Sequence, residues 1–187
     1  MRADAKKNYD RLLDVARDVF AERGPEASMR DIARRAEVGF ATLLRHFPTR
    51  EAFVEALLCD DLDALPKRAE ELEATLPPAE ALTTWFGEWM AFARTHKGVV
   101  ALMASVHDNP ESALYASCAS VHAASARLLQ RAQDDGQARS DMNGDDMFGL
   151  MAALGWLIDL PSFAPRSENL SRIVSSAILA TKEPALA

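Results

Sequence analysis

The chain has 187 residues, 49% of them hydrophobic, a formal net charge of −7 and two cysteines. That length suits one domain or two small ones, and the apolar share is too high and too evenly spread for a disordered chain. No apolar run reaches the roughly 20 residues that cross a bilayer; Met1 to Asp10 is too charged for a secretory signal, and Cys59 and Cys118 lack metal-ligand spacing, so a soluble cytoplasmic protein is expected.

The charge is unevenly placed. Residues 1–58 carry 11 Lys+Arg against 10 Asp+Glu, a net +1, and residues 59–187 carry the remaining −8. A net +1 is low for a nucleic-acid binder, yet Arg30, Arg34, Arg35, Arg45 and Arg50 fall within one short stretch, and local field counts for more than the sum. From the start, Tyr9, Leu12, Leu13, Ala16 and Val19 form one apolar stripe and predict a helix over Asp4–Arg23, ended by Gly24-Pro25. Ser28 is a good N-cap, with Asp31 three residues on, and Met29, Ile32, Ala33 and Ala36 recur at helical spacing. Glu37-Val38-Gly39 breaks the pattern, and Gly39 is the residue expected to supply unusual backbone angles. Phe40–Phe47 predicts a second short helix, with Leu43 and Phe47 inward, Thr42, Arg45 and His46 on the free face, and Pro48 as the stop. Two short helices around a tight turn make a helix-turn-helix, whose second helix enters the DNA major groove.

This stretch resembles the DNA-binding motif of the tetracycline-repressor (TetR/AcrR) family of bacterial transcription regulators. The resemblance rests on Ile32-Ala33, Ala36, Val38, Thr42-Leu43, His46-Phe47 and Thr49-Arg50-Glu51, and covers about the first 58 residues. It implies that the first helix packs behind the motif and that double-stranded DNA is the partner. Three positions depart from the family pattern: Leu44 replaces a Tyr that touches a phosphate, Arg50 replaces a Lys, and Gly39 replaces a capping Ser. The expected DNA-facing set is Ser28, Arg30, Gly39, Phe40, Ala41, Thr42, Leu44, Arg45, His46 and Arg50, with base reading assigned to Phe40, Ala41, Thr42 and Arg45.

Thr49 caps a helix carrying Phe53, Ala56 and Leu57, and Pro66 either kinks it or opens the next piece. Lys67–Ala74 reads as charged and solvated, and Leu76-Pro77-Pro78 as a boundary before a helix over Ala79–His96. A short helix over Val99–His107 and a long one from Asn109-Pro110 to Asp135, ended by Gly136, follow. Asp145–Leu160 is apolar nearly all round, and the last helix is expected over Glu168–Thr181. The fold class is all-α: a three-helix DNA-binding domain over 1–58 and a helical effector-binding and dimerisation domain over 59–187.

Trp85, Phe86, Trp89, Met90, Met103, His107, Met151 and Trp156 are the candidates to line a pocket for an apolar or aromatic effector; an ordinary packed core is the competing account of the same stripes. The resemblance adds weight to a cavity, and it makes repression the default. Gly149, Ala153, Trp156, Leu170, Ile173, Val174 and Ile178 are assigned to a homodimer interface built as a four-helix bundle. No nucleophile elbow, zinc-binding helix, phosphate loop or dinucleotide fingerprint occurs, so no enzyme, metal or cofactor is expected. The alternative is a helical protein–protein module whose helix-turn-helix no longer binds DNA, supported by Leu44 and the low N-terminal charge.

Overall fold

The computed structural model describes residues 2–23, 27–96, 100 and 113–179. The expected Gly24-Pro25 break, the helix over Val99–His107 apart from the helical Val100, and the Asn109-Pro110 cap lie outside these residues. Two compact units divide the chain, Met1–Asp61 and Leu62–Ala187. Helices make up most of the described residues of both. Among the described residues the only β pairing is an isolated antiparallel bridge between Ala138 and Leu179.

In the first unit α1 (Arg2–Arg23), α2 (Met29–Arg35), α3 (Phe40–His46) and α4 (Arg50–Leu62, whose last residue opens the second unit) enclose one apolar core. Leu12, Ala16, Val19, Ile32, Ala36, Leu43 and Phe53 have no exposed surface, and Phe47 is 2% exposed. The Phe47 ring is the centre of an aromatic stack, 4.9 Å from Tyr9 and 4.7 Å from Phe53. Thr49 Oγ1 accepts the Ala52 amide at 3.1 Å, so the expected cap of α4 forms.

The turn between α2 and α3 differs from the expected one. Gly39 has φ −58°, an angle open to any residue, and the left-handed position is Glu37 at φ +55°. The reason lies in how α2 ends. Glu37 N–H donates to Arg34 O at 3.1 Å and Val38 N–H to Ala33 O at 2.9 Å. These are the two bonds of a Schellman motif, which places its left-handed residue directly after the helix cap. Gly39 serves instead as the N-cap of α3, its carbonyl accepting Thr42 N–H at 2.9 Å and Leu43 N–H at 3.0 Å.

The second unit contains α5 (Ala64–Thr75), α6 (Pro78–Thr95), α7 (Ala113–Asp134), α8 (Gly144–Asp159), a 3₁₀ turn (Ala164–Arg166) and α9 (Ser167–Ile178). Lys67–Ala74 is helical, with its charges solvated as expected and one apolar face besides: Leu65, Ala69 and Leu72 recur at helical spacing and are buried. Pro66 opens this helix, in the first turn where amides have no helical partner anyway. Arg68 ties α5 to α6 through Glu88, both oxygens lying 3.0 Å from its Nε. Asn143 caps α8 with a reciprocal box: its Oδ1 accepts Asp145 N–H and Asp146 N–H, and Asp146 Oδ2 accepts Asn143 N–H at 3.0 Å. Gly144 and Gly155 permit close packing, since a Cβ on them would stand 2.5 Å from Ala126 Cβ and Val100 Cγ2 respectively. No helix among the described residues is long and apolar enough to cross a membrane.

Candidate nucleic-acid interface

α2 and α3 have seven residues each. Helices that short are not stable alone in water, so packing and caps must hold them. Ser28 Oγ accepts the Arg30 amide at 3.2 Å and fixes the start of α2. Burial of Leu43 and Phe47 fixes the roll of α3 and thereby decides what faces solvent. Ala41, Leu44 and Arg45 are exposed, Phe40 and Thr42 half-buried. Leu44 is 38% exposed, an apolar side chain left in water where the family pattern places a phosphate-contacting Tyr.

His46, expected on the free face, turns inward. Its ring stands edge-on to Tyr9 at 6.1 Å, and its Nε2 is buried with no hydrogen-bond partner among the described residues. Arg50 is also partly diverted. It is half-buried, and Nη1 donates to the Ala27 carbonyl at 2.8 Å, tying the start of α4 to the residue before the α2 cap. Burial, with Asp60 as the next cause, raises the pKa of the Tyr9 phenol above its ordinary value.

Several acids of this unit are spent on particular bases. Arg17 pairs with Asp14, Asp60 and Asp61; Arg34 with Asp31; Arg35 with Glu22 at 2.8 Å and Asp31 at 3.9 Å; Arg11 with Glu37 at 2.8 Å. Arg30 and Arg45 stand outside these pairs. Arg30 instead lies over the Phe40 ring, its Cζ 4.4 Å from the centroid. A near-neutral unit thus presents local positive charge beside α3. Sequence reasoning missed the Ala27 anchor and the left-handed Glu37, because neither a backbone carbonyl partner nor a Schellman ending without glycine has a residue signature.

In the second unit, Trp85, Phe86, Trp89, Met90 and Met151 come together in the interior, each at most 1% exposed. Trp85 Nε1 donates to Leu65 O at 3.2 Å and Trp89 Nε1 to Met151 O at 3.5 Å. Trp156 is not among them: it is 55% exposed. Met103 and His107 lie outside the described residues. Of the dimer candidates, Gly149, Ala153, Trp156 and Ile173 are exposed, and Leu170 and Val174 are half-buried. Ile178 is 1% exposed and belongs to the core of its own chain, so it is not part of an outward stripe.

Arg50→Ala is expected to destabilise the first unit by about 1 kcal/mol through the lost bond to Ala27, besides weakening DNA binding, while Arg50→Lys should recover charge but not the full bond. Urea unfolding of the two variants checks this; identical midpoints to the unaltered protein would show the anchor to be worth nothing.

Comparison with known proteins agrees with this geometry. Residues 12–57 match the family described as bacterial regulatory proteins, tetR family, and residues 77–177 match the C-terminal domain of SbtR-like transcriptional regulators. The chain is similar to the HTH-type transcriptional repressor KstR2 of Mycolicibacterium smegmatis, 38% identical over 49% of this chain and 46% of that one. It is 26% identical to the HTH-type transcriptional regulator UidR of Escherichia coli over 86% of this chain and 81% of that one. Its fold matches the crystal structure of the TetR transcriptional regulator SCO0520 from Streptomyces coelicolor, with a TM-score of 0.68, 32% identity, and coverage of 92% of this chain and 99% of the other. A helical protein–protein module without DNA binding is not favoured by these likenesses. The chain belongs to the TetR family and is a DNA-binding transcriptional regulator.

Proposed function

We propose that residues 28–50 bind a palindromic operator, that α3 reads its bases, and that the chain represses transcription in the cytoplasm until a small molecule releases it. The functional division is taken as 1–58 for DNA binding and 59–187 for effector binding and dimerisation. The observation that carries the DNA reading is the placement of Arg45, exposed on α3 and, among the described residues, outside the ion pairs that neutralise Arg11, Arg17, Arg34 and Arg35. An exposed guanidinium on a recognition helix can grip guanine with two hydrogen bonds, and the neighbouring Thr42 hydroxyl suits a base or a phosphate. Ser28, Gly39, Ala41 and Leu44 complete the facing surface, while the inward His46 is left out.

An apolar or aromatic effector is assigned to the region of Trp85, Phe86, Trp89, Met90 and Met151. Both indole N–H groups there are already bonded to backbone carbonyls, which leaves ring faces and thioethers as the recognition chemistry. Effector binding must favour one arrangement of the DNA-binding units over another, or it regulates nothing. Replacing Trp156 by Phe leaves Trp85 and Trp89 as the chain's indoles, since it has three tryptophans. Compounds that release DNA should then change indole emission in a saturable way; releasing compounds that leave it unaltered would place the effector elsewhere.

One recognition helix spans too few base pairs for useful specificity, so two are needed about 34–36 Å apart. The face for a second copy is taken to be α8 and α9. Trp156 and Ile173 are 55% and 48% exposed, and Gly149 has open space where a Cβ would stand. Such an apolar patch is unfavourable in water and small residues let a partner helix approach. The double substitution Trp156→Glu with Ile173→Glu should give a monomer by light scattering, with specific DNA binding falling alongside; a double variant that stays dimeric puts the interface elsewhere.

Genomic selection with the purified protein should enrich a palindrome. Arg45→Ala should cost roughly 1–3 kcal/mol and relax preference at one base pair per half-site. Enrichment of no sequence by the unaltered protein would remove the DNA reading.

A further inference from the structure

Ala41, Leu44 and Arg45 are the exposed residues of α3. Residues three and four apart share a helix face, so Leu44 and Arg45 flank Ala41, about 100° apart around the axis. Ala41 is too short to project, which leaves Leu44 and Arg45 as the two side chains that reach out from this face. Leu44 is 38% exposed, and of the large apolar side chains exposed among the described residues it is the one in the first unit; the others lie in the second. A leucine in water needs no explanation by itself. Beside a base-reading arginine on the face that meets DNA, it has a specific use. We infer that Leu44 reads the C5-methyl group of one thymine in each half of the operator. This rests on the proposal that α3 reads bases.

The chemistry of the side chain carries the assignment. Leucine has no charge, donor or acceptor, so it can neither hold a phosphate nor pair with the polar edge of a base. The apolar feature of the major groove is the thymine methyl, carried by one base of the four. Removing both apolar groups from water is favourable by contact alone. Cytosine has an amino donor and no methyl, and a leucine against it would leave that donor without an acceptor. The position of Leu44 is set in advance, because Leu43 and Phe47, 0% and 2% exposed, fix the roll of α3. Leucine also loses less rotamer freedom on contact than a long side chain does. The short Ala41 lets the helix approach the base edges closely. Leu44 and Arg45 start from adjacent positions, and base pairs are stacked about 3.4 Å apart. The thymine is therefore expected within about two base pairs of the guanine assigned to Arg45.

The test begins with the operator selected from a random duplex library by the full-length protein. Each thymine is then replaced singly by deoxyuridine, which removes the methyl group and keeps the base pairing. For the unaltered protein, one such replacement per half-site should weaken binding about fourfold, and the symmetric pair about fifteenfold, the worth of one buried methyl on each side. Leu44→Ala should bind the thymine operator more weakly and bind thymine and deoxyuridine at that position alike. Leu44→Met keeps the apolar reach and should keep the preference for the methyl. The salt slope should not change in Leu44→Ala, since a leucine releases no counterion. Three results would overturn the inference. No deoxyuridine replacement weakens binding; or the methyl preference persists in full in Leu44→Ala, which assigns it to Ala41 or Thr42; or Leu44→Ala weakens all sequences alike, which makes Leu44 a contact to the sugar–phosphate backbone. Failure of the unaltered protein to enrich any sequence is a different result: it removes the underlying DNA reading and this inference with it.

Discussion

The inward anchoring of Leu43 and Phe47 is the constraint on which the DNA-facing surface depends. α3 has only seven residues and no side-chain cap, because Gly39 has no side chain to offer. Its orientation is therefore set by burial. Leu43 is fully buried, and Phe47 is held between Tyr9 of α1, tilted against it, and Phe53 of α4, edge-on to it. With these two residues fixed, helical geometry leaves Ala41, Leu44 and Arg45 no direction but outward. The same anchoring turns His46 toward Tyr9. The chemistry available to DNA is thus a consequence of core packing in a unit of about sixty residues.

Charge is allocated on the same scaffold. An almost neutral unit can still bind a polyanion if its acids are committed elsewhere. Asp60 and Asp61 on α4 and Asp14 on α1 converge on Arg17, and Asp31, Glu22 and Glu37 take Arg34, Arg35 and Arg11. Most of these pairs are partly exposed, so each adds little stability. Their effect is on the field: they cancel charge on Arg11, Arg17, Arg34 and Arg35 and, among the described residues, leave Arg45 and Arg30 outside any ion pair. Such binding should be modest in strength and sensitive to salt.

Much of this was legible in the residues. Ser28, the Ile32/Ala33/Ala36 spacing and Pro48 mark the motif because caps, periodicity and breakers are local physics. The helices of the second unit were legible for the same reason, except α5. There the charges of Lys67–Ala74 obscured Leu65, Ala69 and Leu72, whose spacing becomes informative only once Pro66 is seen as a helix opener. Glu37 was not legible as the left-handed residue, since a neighbouring glycine is the better guess on propensity alone and the Schellman bonds of α2 decided otherwise. Which large apolar residues of α8 and α9 face outward and which inward was also beyond the sequence. Trp156 and Ile178 are both large and apolar, yet one is 55% exposed and the other 1%, and only tertiary packing separates them.

The central claim is that DNA preference resides in the outward residues of a helix held by its inward ones. The most direct measurement is an exchange of the exposed Ala41, Leu44 and Arg45 and the half-buried Thr42 for the residues of a TetR-family relative with a different operator, keeping Leu43 and Phe47. Binding to both operators is then compared by titration. Preference is predicted to move to the relative's operator while the unfolding midpoint stays close to that of the unaltered protein. A well-folded exchange variant that keeps the original preference would contradict the account.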